Sequence, residues 1–146
     1  MRFFKPSIFY PKNDIDDEIK MKEVWENYEL YLSKVRHLLN NTLLEIYKKS
    51  DRFHDFDIAS INHIMKKKKK HQINIFFDSK YVNDKFEVRF LDVHSFHIIN
   101  SKSYWEEIIM CEIGVVAGYN YIFFYLVNGC EIYIRFKDIR FKYYKK

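Results

Sequence analysis

Four sets of residues in this chain have types and spacings that chemistry could use. His54 stands beside Asp55, with Asp57 two residues on. An imidazole held by a carboxylate can serve as a general base in one tautomer, or take part in a metal site. Neighbours on a strand point to opposite faces, so this chemistry needs a turn at 54–55. Without one, Asp55 caps backbone N–H groups at a strand entry and His54 packs locally. Asp92, His94 and His97 form the second set. On one strand Asp92 and His94 share a face while His97 points away, and a metal needs at least three converging ligands. The third set, Asp16-Asp17 and Glu106-Glu107, sits at element starts, where acids are ordinary. No metal, cofactor or paired catalytic carboxylates are expected.

The fourth set is aromatic. Tyr104, Trp105, Tyr133 and Tyr144 fall at loop, outward-facing or terminal positions, and Arg135 lies two residues beyond Tyr133. Tyr and Trp give large contact areas for few torsions, which suits protein interfaces. These five residues are the candidate interaction surface. An AT-rich codon bias, visible in the abundance of Ile, Lys, Asn, Tyr and Phe, is the competing explanation.

Several activities are disfavoured by what is missing. Three glycines, at 114, 118 and 129, allow neither G-x-G-x-x-G nor a P-loop. No H-E-x-x-H, C-x-x-C or G-x-S-x-G motif occurs.

The formal charge of +5 raises the question of nucleic acid. Lys66, Lys67, Lys68, Lys69 and Lys70 supply five positive charges, and Lys145 and Lys146 two more; without those seven the chain carries −2. Nucleic-acid binders usually spread cations over a face with aromatics between them. The basic balance here comes from one turn and one tail, so a nucleic-acid partner using Lys66–Lys70 is the alternative to a protein partner.

The elements that position these groups follow from periodicity. Residues 1–12, with Pro6 and Pro11, read as an extended lead, 13–50 as helical and 51–146 as antiparallel β, in one domain. From Met21 the apolar positions Trp25, Tyr28, Leu32, Val35, Leu39 and Ile46 keep helical spacing, and Val24, Tyr31 and Leu38 widen the stripe enough to lie on a sheet. Roughly thirty helical residues would run about 45 Å, against about 23 Å for a seven-residue strand. The helix must therefore overhang, break or pair with a second subunit. Asn40-Asn41 is its weakest point, and monomer and homodimer both stay open.

Strands are predicted at 58–65 and 71–78 around the lysine turn, then at 86–91, 94–99, 107–116, 119–127, 130–136 and 139–143. Asn128-Gly129 predicts a two-residue hairpin with Val127 opposite Cys130 and Tyr125 opposite Ile132. That register puts Tyr121, Phe123 and Tyr125 in the core, and Ile122, Phe124 and Leu126 on the opposite face. The fold class is α+β: a long N-terminal helix on a largely antiparallel sheet, a meander that could curl into a sandwich or half-barrel.

The first residues lack the apolar stretch of a signal peptide, and the longest wholly apolar run, Tyr121 to Val127, falls far short of the ~20 residues that span a bilayer. The expected location is cytoplasmic, away from membranes, with Cys111 and Cys130 as reduced, buried thiols.

The helical first third, the strand entered through Phe53-His54-Asp55, and the closing stretch from Asn128-Gly129 to Asp138 resemble a family of small bacterial domains of unknown function. That family is typical of Gram-positive genomes, and some members are grouped with immunity proteins of toxin systems. The resemblance spans residues 53–141. It implies the fold, and an immunity-type inhibitor as the sharpest form of a non-enzymatic protein-interaction module. An enzyme using His54 and Asp55 is the further alternative.

Overall fold

The computed structural model describes residues 3–4, 14–79 and 84–145. Most of the expected N-terminal lead, including Pro6 and Pro11, lies outside them, as does Lys146. The helical third breaks where its propensity is weakest. Helix α1 (Asp14–Val35) ends in a 3₁₀ turn over Arg36–Leu38, and α2 (Asn41–Lys49) starts afresh. Asn40 caps α2 by accepting from the N–H groups of Thr42 (2.9 Å) and Leu43 (3.4 Å). Because α1 stops at Val35, Leu38 drops off the predicted apolar stripe and is exposed.

The β region forms two four-stranded antiparallel sheets. Strands β1 (Phe56–Lys66), β2 (Lys70–Ser79), β3 (Asp84–Leu91) and β8 (Asp138–Lys145) lie in the order β1-β2-β3-β8. Strands β4 (Ser95–Ile99), β5 (Ile108–Val116), β6 (Tyr119–Leu126) and β7 (Glu131–Phe136) lie in the order β4-β7-β6-β5. The pair β3–β8 runs on into the pair β4–β7 around a corner held by backbone bonds from Val93 to His71, His94 to Arg135 and Lys137 to Leu91. An isolated bridge between Asp57 and Glu107 joins β1 to the strand leading into β5.

One core fills the space between the sheets. Ile73, Ile75, Phe77, Phe86, Val88 and Phe90 meet Ile122, Phe124, Ile132, Ile134 and Phe136, with Leu43 and Ile46 of α2 among them. Cys111 and Cys130 are both free and buried. Burial pushes both thiols above their ordinary range.

The β6–β7 register differs from the predicted one by a single residue. Leu126 N–H bonds to Cys130, and Gly129 N–H to Leu126. The loop is thus Val127-Asn128-Gly129, and Gly129 alone takes the left-handed conformation (φ 83°). Asn128 stays out of that region and uses its side chain instead, accepting from Cys130 N–H at 3.0 Å. This is the three-residue hairpin with a glycine bulge rather than the two-residue turn. A one-residue shift exchanges the faces of a strand. Ile122, Phe124 and Leu126 therefore point into the core, and Tyr121, Phe123 and Tyr125 point outward.

Helix α1 covers that outward face. Tyr28 is fully buried against Phe4, Met110, Phe123 and Tyr125, with Trp25 and Tyr31 beside it. The same helix protects the free edge of β5. Tyr28 Oη accepts from Ile113 N–H (2.7 Å) and donates to Ile113 O (3.1 Å). Tyr31 Oη does the same at Val115, at 3.0 and 3.2 Å. Tyr47 of α2 donates to Cys111 O at 3.4 Å. An edge strand leaves a row of unpaired backbone groups that templates aggregation; three tyrosines occupy that row here.

Candidate functional site

The stretch around His54 is a turn, so His54 and Asp55 do converge, with Nδ1 and Oδ1 2.9 Å apart. The pair sits in the open: both side chains are at least half exposed. Asp51, Arg52, Phe53 and Asp55 all take left-handed backbone conformations there. Asp92, His94 and His97 part company. Asp92 pairs with Lys70 at 3.2 Å, His94 stacks on Tyr119, and His97 lies near Tyr133. Among the described residues no group of three or more His, Cys, Asp or Glu is placed to hold a metal ion. Asp16 is exposed on α1 and Glu106 and Glu107 are half-buried before β5, so these acids share no site.

The predicted interaction surface is likewise dispersed. Tyr133 and Arg135 are half-buried on the outer face of β7. Tyr104 is exposed in the loop before β5, while Trp105 packs on the core. Tyr144 stands on the other sheet, and what it touches there is the most organised polar site in the molecule.

Strand pairing lines up Asp78, Lys85 and Tyr144, then Phe76, Glu87 and Lys142, then Asn74, Arg89 and Arg140 across the outer face of β2-β3-β8. Cross-strand partners share a face, and neither helix packs on this one. Glu87 lies at its centre, only 2% exposed. Its carboxylate accepts two parallel bonds from Arg89, at 2.9 and 3.1 Å, one from Tyr144 Oη at 2.9 Å and one from Asn74 Nδ2 at 3.0 Å. Gln72 Nε2 donates to Asn74 Oδ1 at 2.7 Å. The Arg89 hydrogen bond, helped by that from Tyr144, holds the Glu87 carboxyl below its ordinary range against the opposing effect of burial. Gln72 Oε1, at the end of this chain of bonds, is buried and accepts nothing from the described residues. The network fixes Arg89 and Tyr144 in position beside the half-buried Phe76 ring.

Two further cations share the face. Arg140 and Lys142 are exposed on β8, the latter over the Tyr144 ring at 5.1 Å. Lys67–Lys69 form the exposed 3₁₀ turn between β1 and β2, flanked by Lys66 and Lys70. Tyr144 was the one residue of this site marked by sequence alone. Glu87 and Arg89 alternate with Phe86, Val88 and Phe90, which makes them outward-facing, but their burial depends on β2 and β8 standing on either side.

A second buried acid also escaped the sequence reading. Glu112 is fully buried on the outer side of β5, where Oε2 accepts from the N–H groups of Phe3 (2.8 Å) and Phe4 (3.3 Å) and Oε1 from Tyr121 Oη (2.7 Å). Burial outweighs these bonds and raises its carboxyl above the ordinary range. A raised carboxyl takes up a proton in the folded state before the unfolded chain does, so folding is penalised above the raised value and the penalty disappears as pH falls to the ordinary one. The wild type should therefore gain stability relative to Glu112→Gln between neutral pH and the ordinary carboxylate range. Urea unfolding at several pH values checks this, and a pH-independent gap would contradict it.

Comparison with protein families, with curated proteins and with solved structures finds no match to this chain. No helix among the described residues is long and apolar enough to cross a membrane.

Proposed function

We infer that this chain is a non-enzymatic binding module that docks an acidic face of a partner protein on the outer surface of β2-β3-β8. The observation that carries the reading is the Glu87–Arg89–Tyr144 network, in which the buried Glu87 carboxylate holds the exposed Arg89 and Tyr144 side chains by hydrogen bonds on a sheet face that neither helix covers. Rigid Tyr and Arg side chains lose little entropy on association and are the commonest anchors of protein interfaces. Arg140 and Lys142 supply the positive rim. An immunity-type inhibitor working in the cytoplasm is the sharpest form of this reading, and it rests on the resemblance noted above.

A nucleic-acid partner is the second reading, favoured by Phe76 and Tyr144 standing on an antiparallel sheet with cations around them. Single strands stack bases on such aromatics. A tagged pull-down from nuclease-treated lysate at moderate salt separates the two, with the wild type compared against Arg140→Glu/Lys142→Glu. Both changes lie on exposed side chains. A stoichiometric protein that the wild type retains, and that the variant binds about tenfold or more weakly, supports the module. Equal recovery by both refutes this face, and recovery lost on nuclease treatment transfers the site to nucleic acid.

A further inference from the structure

We propose that the cleft between α1 and α2 is a second binding site, one that takes a small amphiphilic organic anion such as an aliphatic carboxylate. The cleft encloses about 350 Å³, within the range of small-ligand sites. Its walls are apolar: Leu32 of α1, Leu39 of the linker, Leu44 and Tyr47 of α2, and Ile113 of β5 beneath. Leu32 and Leu44 are only partly buried, so an aliphatic ligand would remove apolar surface from water where the chain itself leaves it wet.

The rim decides the charge of the ligand. Arg36, Lys48 and Arg52 stand there with Glu29 and Asp51. Arg52 and Glu29 satisfy each other at 2.9 Å, and the Arg52 guanidinium lies 4.8 Å from the Trp25 ring centre. Ser33 has its hydroxyl committed to Leu30 O at 2.7 Å. Arg36 and Lys48 form no ion pair with any described residue. One carboxylate, Asp51, is thus set against two uncommitted cations. Asp51 and Arg52 also hold left-handed backbone conformations (φ 46° and 60°). Such conformations in non-glycine residues persist only where surroundings enforce them, and they gather at ligand sites. Here the enforcement comes from Ser50, whose Oγ accepts from Phe53 N–H at 3.1 Å, and from burial of the Phe53 ring.

The test is an amide-resolved NMR titration of the full chain with octanoate, octanol and octylammonium in parallel. Octanoate should move the amide signals of Arg36, Leu44, Lys48 and Ile113, and octanol should bind at least about tenfold more weakly. Arg36→Gln/Lys48→Gln alters exposed side chains only. It should weaken octanoate about tenfold while leaving octanol unchanged. Absence of shifts around the cleft overturns the proposal. So does equal affinity for octanol, tighter binding of octylammonium, or octanoate binding that the double variant leaves intact. None of these outcomes bears on the sheet face, which Arg140→Glu/Lys142→Glu tests separately.

Discussion

Phe53→Ala should lower the unfolding free energy by about 3–5 kcal/mol. The ring is fully buried and touches both sheets, with centroids 5.0 Å from Phe77, 5.9 Å from Phe86 and 5.2 Å from Phe124. Its removal opens a cavity at the point where the two sheets meet the end of α2, and the aromatic neighbours are too closely interlocked to fill it. The backbone adds a second, sharper expectation. Phe53 has φ 60°, a conformation that costs a residue with a Cβ about 1–2 kcal/mol and glycine almost nothing. At ordinary positions glycine is less stable than alanine by about 0.5–1 kcal/mol. Here the order should invert, with Phe53→Gly at least as stable as Phe53→Ala. Urea unfolding of both variants measures the loss and the inversion. A loss below about 1 kcal/mol would mean that the core collapses around the gap.

Tyr28→Phe should cost about 2–4 kcal/mol, although it removes a single oxygen. That oxygen accepts from and donates to Ile113, so the variant strands one buried N–H and one buried C=O, each at about 1–3 kcal/mol. Phenylalanine fills the same space, which separates this effect from packing. Tyr31→Phe is the internal control: its bonds to Val115 lie in a half-buried region that water can reach, and its cost should be smaller. Hydrogen exchange gives the local readout. The Ile113 amide should exchange faster in Tyr28→Phe while the Val115 amide keeps its protection. Unchanged protection at Ile113 would show that the tyrosine hydroxyl does not guard the edge of β5.

The chain's local chemistry accounts for most of the fold. Alternation over Phe86–Leu91 and the lysine turn between two β-rich runs place their strands within a residue or two of where they lie, while the helical spacing from Met21 marks both helices but runs on through the break after Val35. Asn40 marks the helix break because an Asn side chain prefers to cap backbone N–H groups. The Asn128-Gly129 hairpin shows where local reasoning fails. Both a two-residue and a three-residue loop suit that pair, and they differ by one residue in register. What selects between them is burial: Ile122, Phe124 and Leu126 fit between the sheets, while the Tyr121, Phe123 and Tyr125 rings find room beneath α1 and Phe3-Phe4, where Glu112 accepts from the Tyr121 hydroxyl.

The sites themselves lie mostly beyond the reach of sequence. His54 and Asp55 are adjacent in the chain, and their meeting in an exposed turn was one of two outcomes that spacing allowed. Glu87, Arg89, Asn74 and Tyr144 come from three strands, and Gln72 only joins them once β2 pairs with β3. The α1–α2 cleft draws its walls from residues 29 to 113. By itself the sequence determined the helices, the strands, most turns and the α+β class, because those depend on periodicity and capping within a few residues. Tertiary structure alone decided which polar groups were buried, which cations were left without partners and which faces stayed open. Those properties belong to what surrounds a side chain, and its surroundings here come from distant parts of the chain.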